Sequence, residues 1–207
     1  MAKVATLVDS KAPKQMGVDE DIFFMPMTAV MISCISKEGR PNIIPIIAWS
    51  FTNRWPAKVS IGICEGEYTP NYYVRASYQM ILDTGEFVIN FPDTSMRDQV
   101  TKTGDLTAND PKVDKFKQAG LTPGKSLVVK APTIEECPIS IECVVTEHLS
   151  MGSHHLFLGE VVAYHEYGEI VHRENIEELD YITYQPADGR PKKRLGWCSL
   201  PVLEDVE

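Results

Sequence analysis

The sequence predicts a mainly β protein: an antiparallel barrel with a few short helices. Three observations lead there. Short β-rich apolar runs recur with turn residues between them, while two segments carry helix start and stop signals. Those helices do not alternate regularly with the strands, which argues against a doubly wound parallel sheet. Neither a Gly-x-Gly-x-x-Gly fingerprint nor a P-loop is present. With 207 residues, 43% of them hydrophobic, the chain can bury one substantial core.

The elements follow in order. Residues 1–24 lack periodicity and close on the acidic stretch Asp19 to Asp21, which reads as an N-terminal arm. TAVMISCIS, 28–36, is the first strand, and Gly39 and Pro41 of KEGRPN supply turn chemistry after it. IIPIIAWSF, 43–51, reads as one further strand. Pro45 cannot donate to a ladder, so this strand belongs at an edge or a bulge. AKVSIGIC, 57–64, is the third, with Gly62 as a point of close backbone approach. The polar, Tyr-rich loop 65–77 leads into a helix with Ser77 as N-cap, Met80 and Ile81 as its apolar face and Gly85 at its end. EFVIN, 86–90, is a strand. DPKVDKFKQAG, 110–120, reads as a helix capped by Asp110, with Pro111 in its first position. Val113, Phe116 and Lys117 share a face, and Gly120 ends it. ISIECVVTEHL, 139–149, and HHLFLGEVVAYHEY, 154–167, form a hairpin through SMGS.

Composition excludes several functions. A net charge of -9 offers no clustered cationic face for a duplex, so no nucleic acid is expected. The basic cluster Pro191 to Arg194 fits a solvated loop better than an anion patch or a localisation tag. No apolar run is long enough to cross a bilayer, and the start lacks the apolar segment of a secretory signal, so a cytoplasmic protein is expected. Five cysteines without a Cys-x-x-Cys pair give no disulfide framework, and Cys34, Cys64 and Cys143 lie in apolar runs as small hydrophobes.

Candidate chemistry concentrates in Arg75-Ala76-Ser77-Tyr78. A helix N-terminus exposes unpaired N–H groups and partial positive charge, which suit a phosphate. Ser77 adds a hydroxyl and Arg75 a forked cation. A Ser-capped helix with Arg75 in solvent explains the same letters, and both readings stay open. In NIIPIIAWSF, Pro45 breaks the ladder and frees backbone groups for a planar ligand, although a plain core strand is the simpler reading. His154 and His155 are neighbours on a strand and point to opposite faces, so they do not share a metal. Cys137, Cys143 and His148 match no standard zinc spacing, so no metal is expected. No Gly-x-Ser-x-Gly elbow supports a hydrolase.

Three ordered blocks carry a family resemblance: RPNIIPIIAWS, RASYQMILDTGEFVIN and HHLFLGEV. Together they resemble the flavin reductase-like family of FMN-binding split barrels, which includes flavoredoxin. The resemblance spans roughly Thr28 to Val162. It implies a split β-barrel domain over 25–176 and a homodimer with FMN near the subunit interface. A tail, 177–207, would pack on the barrel or on the partner subunit. Asn42, Pro45, Ile46, Ile47, Ala48, Trp49 and Ser50 would lie along the ring and ribityl chain. Arg75, Ser77 and Tyr78 would hold the phosphate. Asn90 and Phe91 would close the site, with Thr101 and Lys102 adding a hydroxyl and a cation. His154, rather than His155, would lie near the flavin face where a nicotinamide docks. The implied activity is electron transfer from NAD(P)H through FMN to a flavin, a metal complex or a redox protein partner. The alternative is a flavoredoxin-like carrier without NAD(P)H activity of its own.

Overall fold

The computed structural model describes residues 27–66 and 74–166, together with the backbone of two strands in the C-terminal region. The N-terminal arm and much of the expected loop 65–77 and tail lie outside the described residues. In chain order the strands and helices are β1 (Met27–Thr28), β2 (Val30–Ile35), β3 (Pro41–Ile46), β4 (Trp49–Asn53), β5 (Lys58–Cys64), α1 (Ala76–Thr84) and β6 (Glu86–Phe91). Then come α2 (Arg97–Asp105), α3 (Lys115–Ala119), β7 (Pro123–Gly124), β8 (Thr133–Ile134), β9 (Ile139–Ser150), β10 (His154–Glu166), β11 (Ile182–Pro186) and β12 (Leu195–Ser199).

Seven antiparallel strands form the main sheet, in the order β3-β2-β6-β9-β10-β5-β4. Its two edge strands, β3 and β4, are consecutive in the chain and are separated by Ile47 and Ala48 alone. Three Cα steps span at most about 11 Å, so the sheet must curl until its edges meet at this corner. That curl makes the split barrel. Pro45 sits on an edge strand, where a residue without an N–H is tolerated. The run 43–51 is therefore two strands rather than one, broken by a tight turn in which Trp49 N donates to Ile47 O at 3.0 Å.

Alternation along β2 explains why its VMISC stretch is buried throughout. Val30, Ile32 and Cys34 face the barrel interior with Ile61, Phe87, Ile89 and Phe157. Met31 faces the other way, into a second cluster with Ile43, Met96, Val100, Phe116 and Ala119 under α2 and α3. Thus the helices cover one outer face of the barrel. The β9–β10 hairpin forms as expected, with His155 opposite Ser150 and Met151 N donating to His154 O at 3.0 Å. A separate sheet pairs β1 with β11 and β11 with β12.

Two helix starts differ from expectation. Arg75, not Ser77, is the N-cap of α1, and no side chain caps it. Gly85 ends α1 in the left-handed conformation (φ 69°), where a side chain would be strained. α3 begins after Asp114, whose carboxylate accepts from Lys117 N at 3.1 Å. Asp110 and Pro111 form a turn ahead of it, with Lys112 N donating to Asp110 Oδ1 at 2.9 Å. The Asp-Pro pair satisfies the helix-start pattern four residues too early, and Asp114 offers a second cap followed by the buried pair Lys115 and Phe116. α2 and the 3-10 turn Thr94–Met96 before it have no counterpart in the sequence reading; few apolar residues mark them, with Val100 and Met96 the buried ones besides Thr103.

Candidate functional site

A cleft opens at the N-terminus of α1, lined by Asn42, Ile44, Arg75, Ser77, Leu106 and Lys115. Its parts come from three places. β3 presents Asn42, the first turn of α1 presents Ser77, and α3 presents Lys115 from its first position. Asn42 is buried, and its Nδ2 donates to the buried Ser77 Oγ at 2.8 Å. Asn42 Oδ1 is buried and has no hydrogen-bond partner. A satisfied interior would not leave it so. With no side-chain cap on α1, the partial positive charge of its first turn faces the same cleft.

Lys115 is 5% exposed, and its ammonium donates to Thr103 O at 2.7 Å. An ammonium has three donors, so this bond uses one of them. Burial, and then the Arg75 guanidinium nearby, push its pKa down to about 8, with the Cys34 thiol acting weakly the other way. Arg75 is half-buried, and its backbone N–H donates to Cys64 O at 3.1 Å, which ties the entry to α1 against β5. Two cations thus approach one helix tip in a partly buried cleft, and an anion there would offset the cost of keeping Lys115 charged.

Beyond Arg75 lie the exposed Ala48 and the half-buried His154, packed over the buried Gly62. Gly62 N donates to Ala48 O at 2.7 Å, and a Cβ on Gly62 would come within 3.2 Å of Ala48 Cβ and 3.9 Å of His154 Cβ. Glycine is what lets the β4 edge lie this close. His154 Nδ1 is 2.9 Å from Ser153 Oγ. Burial, and then Arg75, hold its pKa below the ordinary imidazole value, against an opposing pull from Glu65.

The structure brings Asn42, Arg75 and Ser77 together, and sets Ala48 and His154 along the same surface. Tyr78 turns inward, its ring 5.1 Å from His155 and 6.3 Å from Phe157. Ser50 is exposed on β4, Pro45 lies against Gly104, and Ile46 and Ile47 pack into the two apolar clusters. Trp49 points to the interior, its indole donating to Thr28 O at 2.9 Å and meeting Phe91 edge-on at 5.2 Å. Asn90 is fully buried and fully used. Its amide donates to Met31 O and Ser33 Oγ and accepts from Ile134 N and Ser140 Oγ. Thr101 and Lys102 are exposed, and Thr101 Oγ1 donates to Arg97 O within its own helix. The second cation of the cleft is Lys115, which the sequence reading missed. From the Asp114 cap, the spacing of Lys115, Phe116 and Ala119 places all three on the buried face of α3. Among the described residues, no cluster of three or more His, Cys, Asp or Glu is arranged to hold a metal ion, and no helix is long and apolar enough to cross a membrane.

Comparison with known proteins supports the same architecture. Residues 23–184 match the family model described as the flavin reductase like domain. An uncharacterised protein of Aquifex aeolicus (strain VF5) is 30% identical over 183 residues, covering 86% of this chain and 89% of that protein. Among solved structures, a flavoredoxin from Methanosarcina acetivorans superposes with a TM-score of 0.73 at 21% identity, covering 97% of this chain and 92% of that one. An FMN-binding protein from Thermus thermophilus, with bound p-hydroxybenzaldehyde, gives a TM-score of 0.66 at 19% identity, each chain being covered to 95%. At these identities the structural matches speak to fold, and the family match covers most of the chain. The chain is a split-barrel protein of the flavin reductase-like family.

Proposed function

We propose that this chain binds FMN and works as an oxidoreductase, taking electrons from NAD(P)H and passing them to a flavin, a metal complex or a redox protein. One observation carries the reading: Arg75 and the buried Lys115 converge on the uncapped tip of α1 beside Ser77. A phosphate monoester is the group this arrangement suits, because it meets two cations and the helix N-terminus at once. The unpartnered Asn42 Oδ1 can accept from a ligand hydroxyl such as those of a ribityl chain.

When bound, FMN supplies the redox chemistry, and the protein supplies position and charge. Arg75 and Lys115 hold the phosphate. A flat ring would lie against the backbone of the exposed Ala48. His154, whose charged form burial and Arg75 disfavour, offers a hydrogen bond at the rim. No side chain is required to act as a strong acid or base. In this reading the working unit is a homodimer with the flavin near the subunit interface. Its compartment is the cytoplasm, consistent with Cys34, Cys64, Cys137 and Cys143 being free thiols.

The test is the visible spectrum of the protein after FMN loading and desalting, followed by anaerobic NAD(P)H. A retained flavin spectrum that bleaches with NAD(P)H supports the full reading. A colourless protein removes the cofactor. A bound flavin that NAD(P)H leaves yellow replaces the enzyme with an electron carrier, the role that the name of the flavoredoxin neighbour suggests.

A further inference from the structure

Behind the flavin cleft lies a second polar chain that the function above does not use. Glu65, just after β5, accepts from Ser150 Oγ through Oε1 at 2.6 Å, and its Oε2 lies 2.7 Å from His155 Nδ1. His155 Nε2 then lies 2.9 Å from Nδ1 of His148, an exposed residue on β9. The proton positions follow from the partners. Glu65 as a carboxylate only accepts, so His155 Nδ1 carries a proton. His155 Nε2 therefore accepts from His148 Nδ1–H, and His148 Nε2 faces outward. The ring centroids are 5.0 Å apart. With a nitrogen separation of 2.9 Å the rings stand nearly end to end, as a shared proton requires. Two ligands of one metal would bend towards a common point instead.

This chain joins three segments that build the cleft. Glu65 N donates to Ser153 O at 3.1 Å, and Ser153 Oγ holds His154. Arg75 N donates to Cys64 O, the residue before Glu65. The ring of Tyr78, in the first turn of α1, rests on His155 at 5.1 Å. The ionisable groups around His155 are Glu65, His148 and Tyr78, with Arg75 and His154 coupled to each other and His154 to Glu65.

We propose that Glu65, His155 and His148 form a proton-sharing latch that positions Arg75 and the tip of α1, and that uptake of a second proton by the two imidazoles opens it. The inference rests on the flavin reading of the cleft. One added proton, on His148 Nε2, leaves every hydrogen bond in place. A second, on His155 Nε2, sets two N–H groups and two positive charges face to face, and the His148–His155 bond breaks. The residues are positioning residues, because none of them touches the cleft itself.

The experiment compares FMN affinity of the wild type and His148→Gln across about pH 8 to 5, the range in which imidazoles take up protons. A glutamine amide can turn its NH2 to a neutral ring or its carbonyl to a protonated one, so it keeps the latch closed throughout. A phosphate monoester also loses charge in this range, with a second pKa of about 6, so the difference between the two proteins carries the result. The latch predicts equal affinity near pH 8 and, at pH 5, a wild type measurably weaker than His148→Gln. Superimposable profiles would overturn it. If neither protein binds FMN at any pH, the flavin reading fails separately. The latch is then judged by NMR titration of the free proteins: the amides of Arg75, Ser77 and Ser153 must shift with the imidazole signals in the wild type and stay still in His148→Gln. Amides that stay still in both would refute it.

Discussion

Glu142 and Lys115 are both buried ionisable side chains, yet their surroundings differ in completeness. Glu142 is fully buried, and its carboxylate accepts from Leu127 N, Val128 N and Val129 N at 2.6 to 2.9 Å and from His165 Nε2 at 2.5 Å. Burial pushes this carboxyl up, but the four donors outweigh it and hold its pKa below the ordinary glutamate range. Glu86 is the acceptor for the rest of the loop, taking hydrogen bonds from Lys130 N and Ala131 N. Lys115 makes one hydrogen bond and faces a second cation. The first charge closes a loop over the barrel. The second remains under-satisfied in the folded chain, and the cost of holding it there points to a ligand rather than to stability.

If that contrast is right, mutating the two should move opposite quantities. The largest effect belongs to Glu142→Ala, which leaves three loop N–H groups without their acceptor. It should cost about 3 kcal/mol of stability in a denaturant titration, with FMN affinity of the folded protein unchanged. The linkage has a definite sign. A depressed carboxylate contributes stability above its unfolded-state pKa and loses it as pH falls through the folded value, so the gap between wild type and variant should close in acid.

Lys115→Gln should do the reverse. Removing a buried cation beside Arg75 should leave stability unchanged or raised, while FMN binding weakens by about 1–2 kcal/mol in calorimetry. The wild type should also bind FMN less well as pH rises through about 8, where Lys115 loses its proton, and Lys115→Gln should lack that step. A stability loss comparable to that of Glu142→Ala would show that Lys115 is structural after all.

Ser77→Ala is the smallest of the set. Ser77 is not the helix cap, so the expected loss is that of one buried acceptor for Asn42 Nδ2, about 1 kcal/mol by thermal or chemical unfolding. No measurable loss would mean that Asn42 finds another partner, and would blunt the view of Asn42 and Ser77 as one unit.

The barrel was legible because its strands alternate and its turns carry Gly and Pro, and because Pro45 announced an edge. What escaped was set by contacts distant in sequence. Nothing local shows that Ile47 and Ala48 join the two ends of a seven-stranded sheet. Arg75 and Ser77 stood out because a cation and a hydroxyl at a helix start have a simple physical meaning. Lys115 did not, since a lysine in a polar helix reads as solvent-facing until α3 is seen to lie against Thr103. Asn90 and Phe91 are both buried but on opposite faces of β6, Asn90 hydrogen-bonded to Ser33, Ile134 and Ser140 and Phe91 against Trp49, a distinction that resemblance at the level of motifs does not make.

The grip on phosphate is the central claim, and the affinities of FMN and riboflavin measured side by side test it most directly. The two ligands share the ring and the ribityl chain and differ in the phosphate alone. The account predicts that FMN binds at least about tenfold tighter, a charge-assisted contact being worth about 1.5–3 kcal/mol, and that Arg75→Ala erases most of that advantage while leaving riboflavin binding intact. Equal affinities for the two ligands in the wild type, or an FMN preference that survives Arg75→Ala and Lys115→Gln together, would contradict it.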